Sequence, residues 1–128
     1  MFGVAFLIFL NNRILAAETN AHKSTICQII AGPSTYNGAH VQIRGRIEGN
    51  GLDTLLIVDN KCPDVGISIE FEKPSKLADS LMSAVIENHF LVREKLIVAT
   101  LTGVFEDRPT ERPRRLIRVS RVDALKIE

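Results

Sequence analysis

The chain has 128 residues, 45% of them hydrophobic and 24% charged, with a net charge of +1. This length suits one domain of modest core, and the composition excludes a disordered or low-complexity chain. Residues 1–17 carry only Arg13, so the remainder holds 15 basic and 15 acidic residues, a balance with which a nucleic-acid binder, the alternative reading, would need a strongly polarised surface.

The first ten residues, MFGVAFLIFL, are uncharged, and the small pair Ala16-Ala17 precedes Glu18. This pattern predicts a cleavable signal segment over residues 1–17 followed by one domain over residues 18–128, with a mature hydrophobic strand as the alternative. The usual basic start is missing, and Leu15 stands where a small residue is common. The apolar run falls short of the roughly 20 residues that span a bilayer, so no membrane span is expected in the mature form.

After a polar entry, Ser24 is the expected N-cap of a short helix carrying Ile26, Cys27, Ile29 and Ile30 and ending at Gly32-Pro33. Tyr36-Asn37-Gly38 reads as a turn. Residues 40–48 then alternate, with Val41, Ile43, Gly45 and Ile47 on one face and His40, Gln42, Arg44 and Arg46 on the other. Gly45 inside this strand predicts a bend that lets one strand serve two sheets. A glycine-rich loop over 49–53 leads to a strand over 54–59, and residues 66–72 alternate again with Ile67, Ile69 and Phe71 inward. Pro74-Ser75 opens a helix to about Phe90, its apolar stripe read as Leu77, Leu81, Met82, Val85 and Ile86. Two further strands, 96–106 and 116–122, flank a link rich in proline and arginine.

Helix, three strands, helix, two strands is the order of an all-β domain with accessory helices: a five-stranded OB-like Greek-key barrel with a helix between its third and fourth strands. An open α+β sheet with the same elements is the rival arrangement.

The run from Cys27 through Tyr36, Val41, Ile43, Gly45 and Ile47, followed by Leu56, Asp59, Cys62-Pro63 and Gly66-Ile67, resembles a group of small exported bacterial proteins, largely uncharacterised. More loosely, the strand around Gly45 and the end Ile117–Val122 are similar to periplasmic OB-fold proteins of the stress-associated type. The resemblance implies a fold and a periplasmic or secreted location. It brings no active site to these positions.

Two cysteines in an exported domain predict a Cys27–Cys62 disulfide, the alternatives being free thiols or a metal pair. A zinc site would need two more ligands, and His22, His40 and His89 stand at no ligand spacing. Asp53, Asp59 and Asp64 match no calcium loop and read as turn residues. No metal or other cofactor is expected. No nucleophile elbow presents a serine, so the chain is read as a non-enzyme, with a cryptic hydrolase kept as an alternative.

The segment from Glu106 to Arg121 holds six arginines against three acids. Arg108, Arg112, Arg114 and Arg115, with Arg44 and Arg46 as neighbours, are the candidate contacts for an anion, since guanidinium forks suit phosphate, sulfate and carboxylate. Solvated surface is the plainer explanation, and Glu70 and Glu72 could lie across the sheet from Arg44 and Arg46. With no Trp and one Tyr, the chain lacks the rings on which single-strand binders stack bases. An envelope protein or glycan is the preferred partner, nucleic acid the disfavoured one.

Overall fold

The structure is a computed structural model and describes residues 21–128; the proposed signal segment, residues 1–17, lies outside it. Strand β1 (His22–Lys23) is followed by helices α1 (Ile26–Ala31) and α2 (Pro33–Tyr36), strands β2 (His40–Gly49), β3 (Leu55–Val58) and β4 (Ile67–Phe71), helix α3 (Lys76–Phe90), and strands β5 (Ile97–Asp107) and β6 (Arg115–Ile127).

Alternation makes β2 the backbone of the fold. Val41, Ile43 and Ile47 are buried on one side, and the strand pairs with two neighbours in succession, β5 over His40–Arg46 and β3 over Arg46–Gly49. Arg46 stands opposite both Val58 and Val98, so the sheet closes on itself just past Gly45. The hydrogen-bonded order β2-β3-β4-β6-β5-β2 is that of an OB barrel, with β4 and β6 parallel and α3 between the third and fourth barrel strands. Closure rules out the open sheet and leaves few free edges.

Two helices stop the ends of the barrel. Thr25, not Ser24, caps α1: its hydroxyl accepts from Gln28 N at 3.0 Å while the Gln28 side chain accepts from Thr25 N at 2.9 Å, a reciprocal capping box. Ser24 N instead donates to Gln42 O, continuing the short β1 contact. Ile26 and Ile29 are fully buried. At the opposite end α3 inserts Ala78, Leu81, Ala84 and Val85, while Met82 is half-buried and Leu77 exposed. The buried stripe is thus turned from the expected one, because alanines let the helix approach the barrel more closely than the larger side chains would.

Cys27 and Cys62 form a disulfide with a Cα separation of 5.8 Å, tying α1 to the β3–β4 loop. Asp59 shapes that loop by accepting from Lys61 N at 2.9 Å. Strand β6 runs five residues beyond the expected end. Its pairing with β5 is interrupted at two places, where Asp123 and Ser120 are extra residues on the β6 side, and these bulges break the alternation that would have marked the longer strand. Among the described residues no helix is long and apolar enough to cross a membrane.

Candidate functional site

In an OB barrel the face of the second and third strands, with the loops flanking it, is the ligand face. Here those strands are β3 and β4, and the loops are residues 50–54 and 108–114.

The first loop is organised by one side chain. The Asn50 carbonyl oxygen accepts from the backbone N–H of Leu52, Asp53 and Thr54 at 2.8, 3.1 and 3.2 Å, and its amide donates to Asp53 Oδ1 at 2.6 Å. Gly51, at φ +78°, lets the chain turn there against Ile86. The bond from Asn50, then that from the Thr54 hydroxyl, holds the exposed Asp53 carboxyl below its usual range, so it is ionised at neutral pH. Sequence reading assigned Asp53 to a turn but missed Asn50; Asn-Gly after a strand was its available signal.

The second loop uses its own arginines to hold itself. Arg108 N donates to Arg114 O at 2.7 Å, and the Arg108 guanidinium donates to Pro113 O at 2.9 and 3.2 Å and lies 3.5 Å from Glu111. Arg114 lies 3.5 Å from Asp107. Arg115 alternates with Ile117 and Val119 on the inward side of β6, and its Nε is buried with no hydrogen-bond partner among the described residues. Arg112 is exposed and forms no side-chain hydrogen bond or ion pair among the described residues.

Between the loops lies a cleft of about 480 Å³. Asp53 and Thr54 form one wall, Arg112 and Pro113 the other, and Ser68–Glu70 with Leu116 the floor. Of the expected anion contacts, Arg112 alone lines this cleft. Arg44 and Arg46 line a separate recess with Asp59 and Asn60, where Arg46 binds Glu48 at 2.7 Å and also Asn60. Glu70 faces Arg118 at 2.8 Å instead of the β2 arginines, because β4 lies between β3 and β6, away from β2, and its register sets Glu70 opposite Arg118. Arg118 also binds Glu106, the main cause holding its guanidinium protonated even more firmly than usual. Arg121 is paired with Asp123. Most of the local positive surplus is therefore used inside the fold.

The bulges create a polar cluster that no sequence pattern announced. Asp123 accepts from Thr102, Arg121 and Gln42, and Ser120 Oγ donates to Thr102 O at 3.2 Å. Burial pushes the Asp123 carboxyl up, but these three donors outweigh it and leave it below its ordinary value. The histidines stand apart, His22 in β1, His40 at the start of β2 and His89 edge-on to Phe90. Among the described residues no three metal-ligating side chains converge.

Comparison with protein-family models, curated proteins and solved structures gives no match. The geometry of the cleft is accordingly what bears on function.

Proposed function

We propose that the chain is a non-enzymatic binding module of the bacterial cell envelope, exported by residues 1–17, whose cleft between the two loops seats a protein partner. The disulfide supports an oxidising compartment, periplasmic or secreted. The observation that carries the choice of partner is the charge of the cleft: one unpaired guanidinium, Arg112, faces the ionised Asp53, with Glu70 on the floor. A polyanion such as single-stranded DNA would meet Asp53 beside the one free arginine, a Glu70 already paired with Arg118, and no aromatic ring in the walls. A protein surface bearing both signs matches better. Both loops are held by internal hydrogen bonds, so little freedom is lost on docking.

A photoreactive residue placed at Arg112 or Thr54 should give a discrete crosslinked product in periplasmic extract, and the same residue at Lys76 on α3 should not. Equal crosslinking from Lys76, or single-stranded DNA that binds the cleft at about 150 mM salt, where screening is strong, would defeat this reading.

A further inference from the structure

We infer that the protein carries a second contact surface, a turn that enters the outer layer of a lipid bilayer: Phe90, Leu91 and Val92 at the end of α3, with Leu52 beside them. The inference goes beyond the cleft and stands on separate residues.

Single exposed apolar side chains are ordinary, whereas a contiguous patch of them marks a contact surface. Leu52, Phe90, Leu91 and Val92 are each more than half exposed, Val92 at 83%. Three of them are consecutive. Leu52 comes from the 50–54 loop, which lies at the same end of the barrel: a Cβ on Gly51 would stand 2.7 Å from Ile86 Cγ1, and Phe90 follows Ile86 by one turn on the same face of α3.

The turn is built to present these side chains. Leu91 N donates to Glu87 O at 2.9 Å, Arg93 N donates to Asn88 O at 3.2 Å, and the Asn88 side chain clasps Lys95 from both its N–H and its carbonyl. Val92 is held at φ 51°, a backbone that costs a β-branched residue and suits glycine. A plain connection from α3 to β5 would carry glycine and polar residues here. This one carries three large apolar side chains, one of them at a conformational cost.

A bilayer fits this tip better than a protein does. The four residues expose about 500 Å², short of the roughly 800 Å² that each partner buries in a stable protein interface. They also stand on a turn rather than in a recess, and hydrocarbon accepts a protruding apolar wedge without a matching shape. Arg93 and Lys95 follow the tip directly, Glu87 and Glu94 stand among them, and none of the four forms an ion pair among the described residues. A rim of both signs suits the phosphate and ammonium groups of phosphatidylethanolamine, with the apolar tip below them.

The chain has no Trp, so Leu91→Trp places a single reporter in the turn and Thr110→Trp places one in the exposed 108–114 loop. When the oxidised protein is mixed with vesicles of phosphatidylethanolamine and phosphatidylglycerol, the reporter at position 91 should shift its emission to the blue and be quenched by lipid brominated in its acyl chains. The reporter at position 110 should do neither, so attachment through residues 1–17 would not imitate the result. Adding Val92→Asp to Leu91→Trp should weaken vesicle binding by about tenfold or more. Binding should survive about 0.5 M salt, because the apolar tip drives it. No quenching at position 91, equal quenching at position 110, or loss of binding at that salt would each overturn the inference. A blue shift that grows with protein concentration in the absence of lipid would assign the tip to a second copy of the chain and overturn it as well. Crosslinking from Arg112 and Thr54 can fail without altering any of these readouts.

Discussion

Ile26 fills the space that a side chain at position 45 would occupy: a Cβ on Gly45 would lie 2.7 Å from Ile26 Cδ1 and 2.6 Å from the Val58 carbonyl oxygen. Helix α1, β2 and β3 meet at this point, where the barrel closes. Gly45→Ala should therefore cost about 1–3 kcal/mol, as overpacking of a tight core does. Adding Ile26→Val removes one clash and leaves those with the Val58 carbonyl oxygen and with Ile57 Cγ1 at 2.9 Å, so the double variant should recover only part of the loss. Denaturant unfolding of the three proteins decides it; an unaltered midpoint for Gly45→Ala would mean that the strand can shift freely there.

The bridge between Cys27 and Cys62 closes a loop of 34 intervening residues, and its Cα separation of 5.8 Å is ordinary for a disulfide. Loop entropy assigns such a closure roughly 4 kcal/mol, less whatever structure the reduced unfolded chain retains. Replacing both cysteines by serine should lower the melting temperature by several degrees. Reductant should do the same to the wild type and nothing to the double variant. A wild type that melts identically with and without reductant would show that the bridge contributes nothing.

Asp123 makes stability depend on acid. Its folded pKa lies below the ordinary 3.8, because hydrogen bonds from Thr102, Arg121 and Gln42 outweigh the burial that would raise it. A carboxyl depressed in the folded state stabilises fully above its unfolded pKa, and that contribution is lost as pH falls through the folded value. Wild type should therefore lose stability below about pH 4 more steeply than Asp123→Asn, which has no such group to protonate. Parallel melting curves for the two proteins between pH 5 and about pH 3 would assign the acid sensitivity to other carboxylates.

What the sequence discloses and what it hides divides by range. The alternation of β2, its bend at Gly45 and the position of α3 follow from neighbours in the chain, and the element order suits the barrel but equally an open sheet; closure, with Arg46 opposite both Val58 and Val98, is a long-range fact. The end of β6 and the Asp123 cluster are hidden because two bulges reset the period-2 pattern, and a bulge depends on the partner strand. The arginines show the same limit more sharply. In the sequence, six of them form one cationic segment; in the fold, Glu70, Glu106 and Asp123 arrive from strand register or a bulge to take two of them. The surplus was countable, but its pairing was not.

Val92 is a β-branched residue at φ 51°, in the left-handed region, 83% exposed beyond the end of α3. The turn is held at its base by Asn88, whose side chain bonds Lys95 N and Lys95 O at 3.2 and 2.8 Å. Such a backbone is costly for valine and nearly free for glycine, against which glycine adds entropy to the unfolded chain. The balance favours Val92→Gly by about 0.5–1 kcal/mol. Thermal melting checks it, and a lower melting temperature would show that valine is comfortable in this turn.

Arg108 and Arg112 lie in one loop and should fail in different ways when reversed to glutamate. Arg108 donates twice to Pro113 O and faces Glu111, so Arg108→Glu removes the loop's own brace and sets two carboxylates side by side. The site is near solvent, which limits the loss to about 1 kcal/mol of stability. Arg112 braces nothing. Arg112→Glu should leave the melting temperature within about a degree, since exposed substitutions away from specific contacts change stability by less than about 0.5 kcal/mol. It should nevertheless reduce crosslinking from Thr54 at least tenfold, because it leaves the cleft with three carboxylates and no free guanidinium. Should Arg112→Glu destabilise the fold while Arg108→Glu does not, the division of labour within this loop would be the reverse of the one its hydrogen bonds describe.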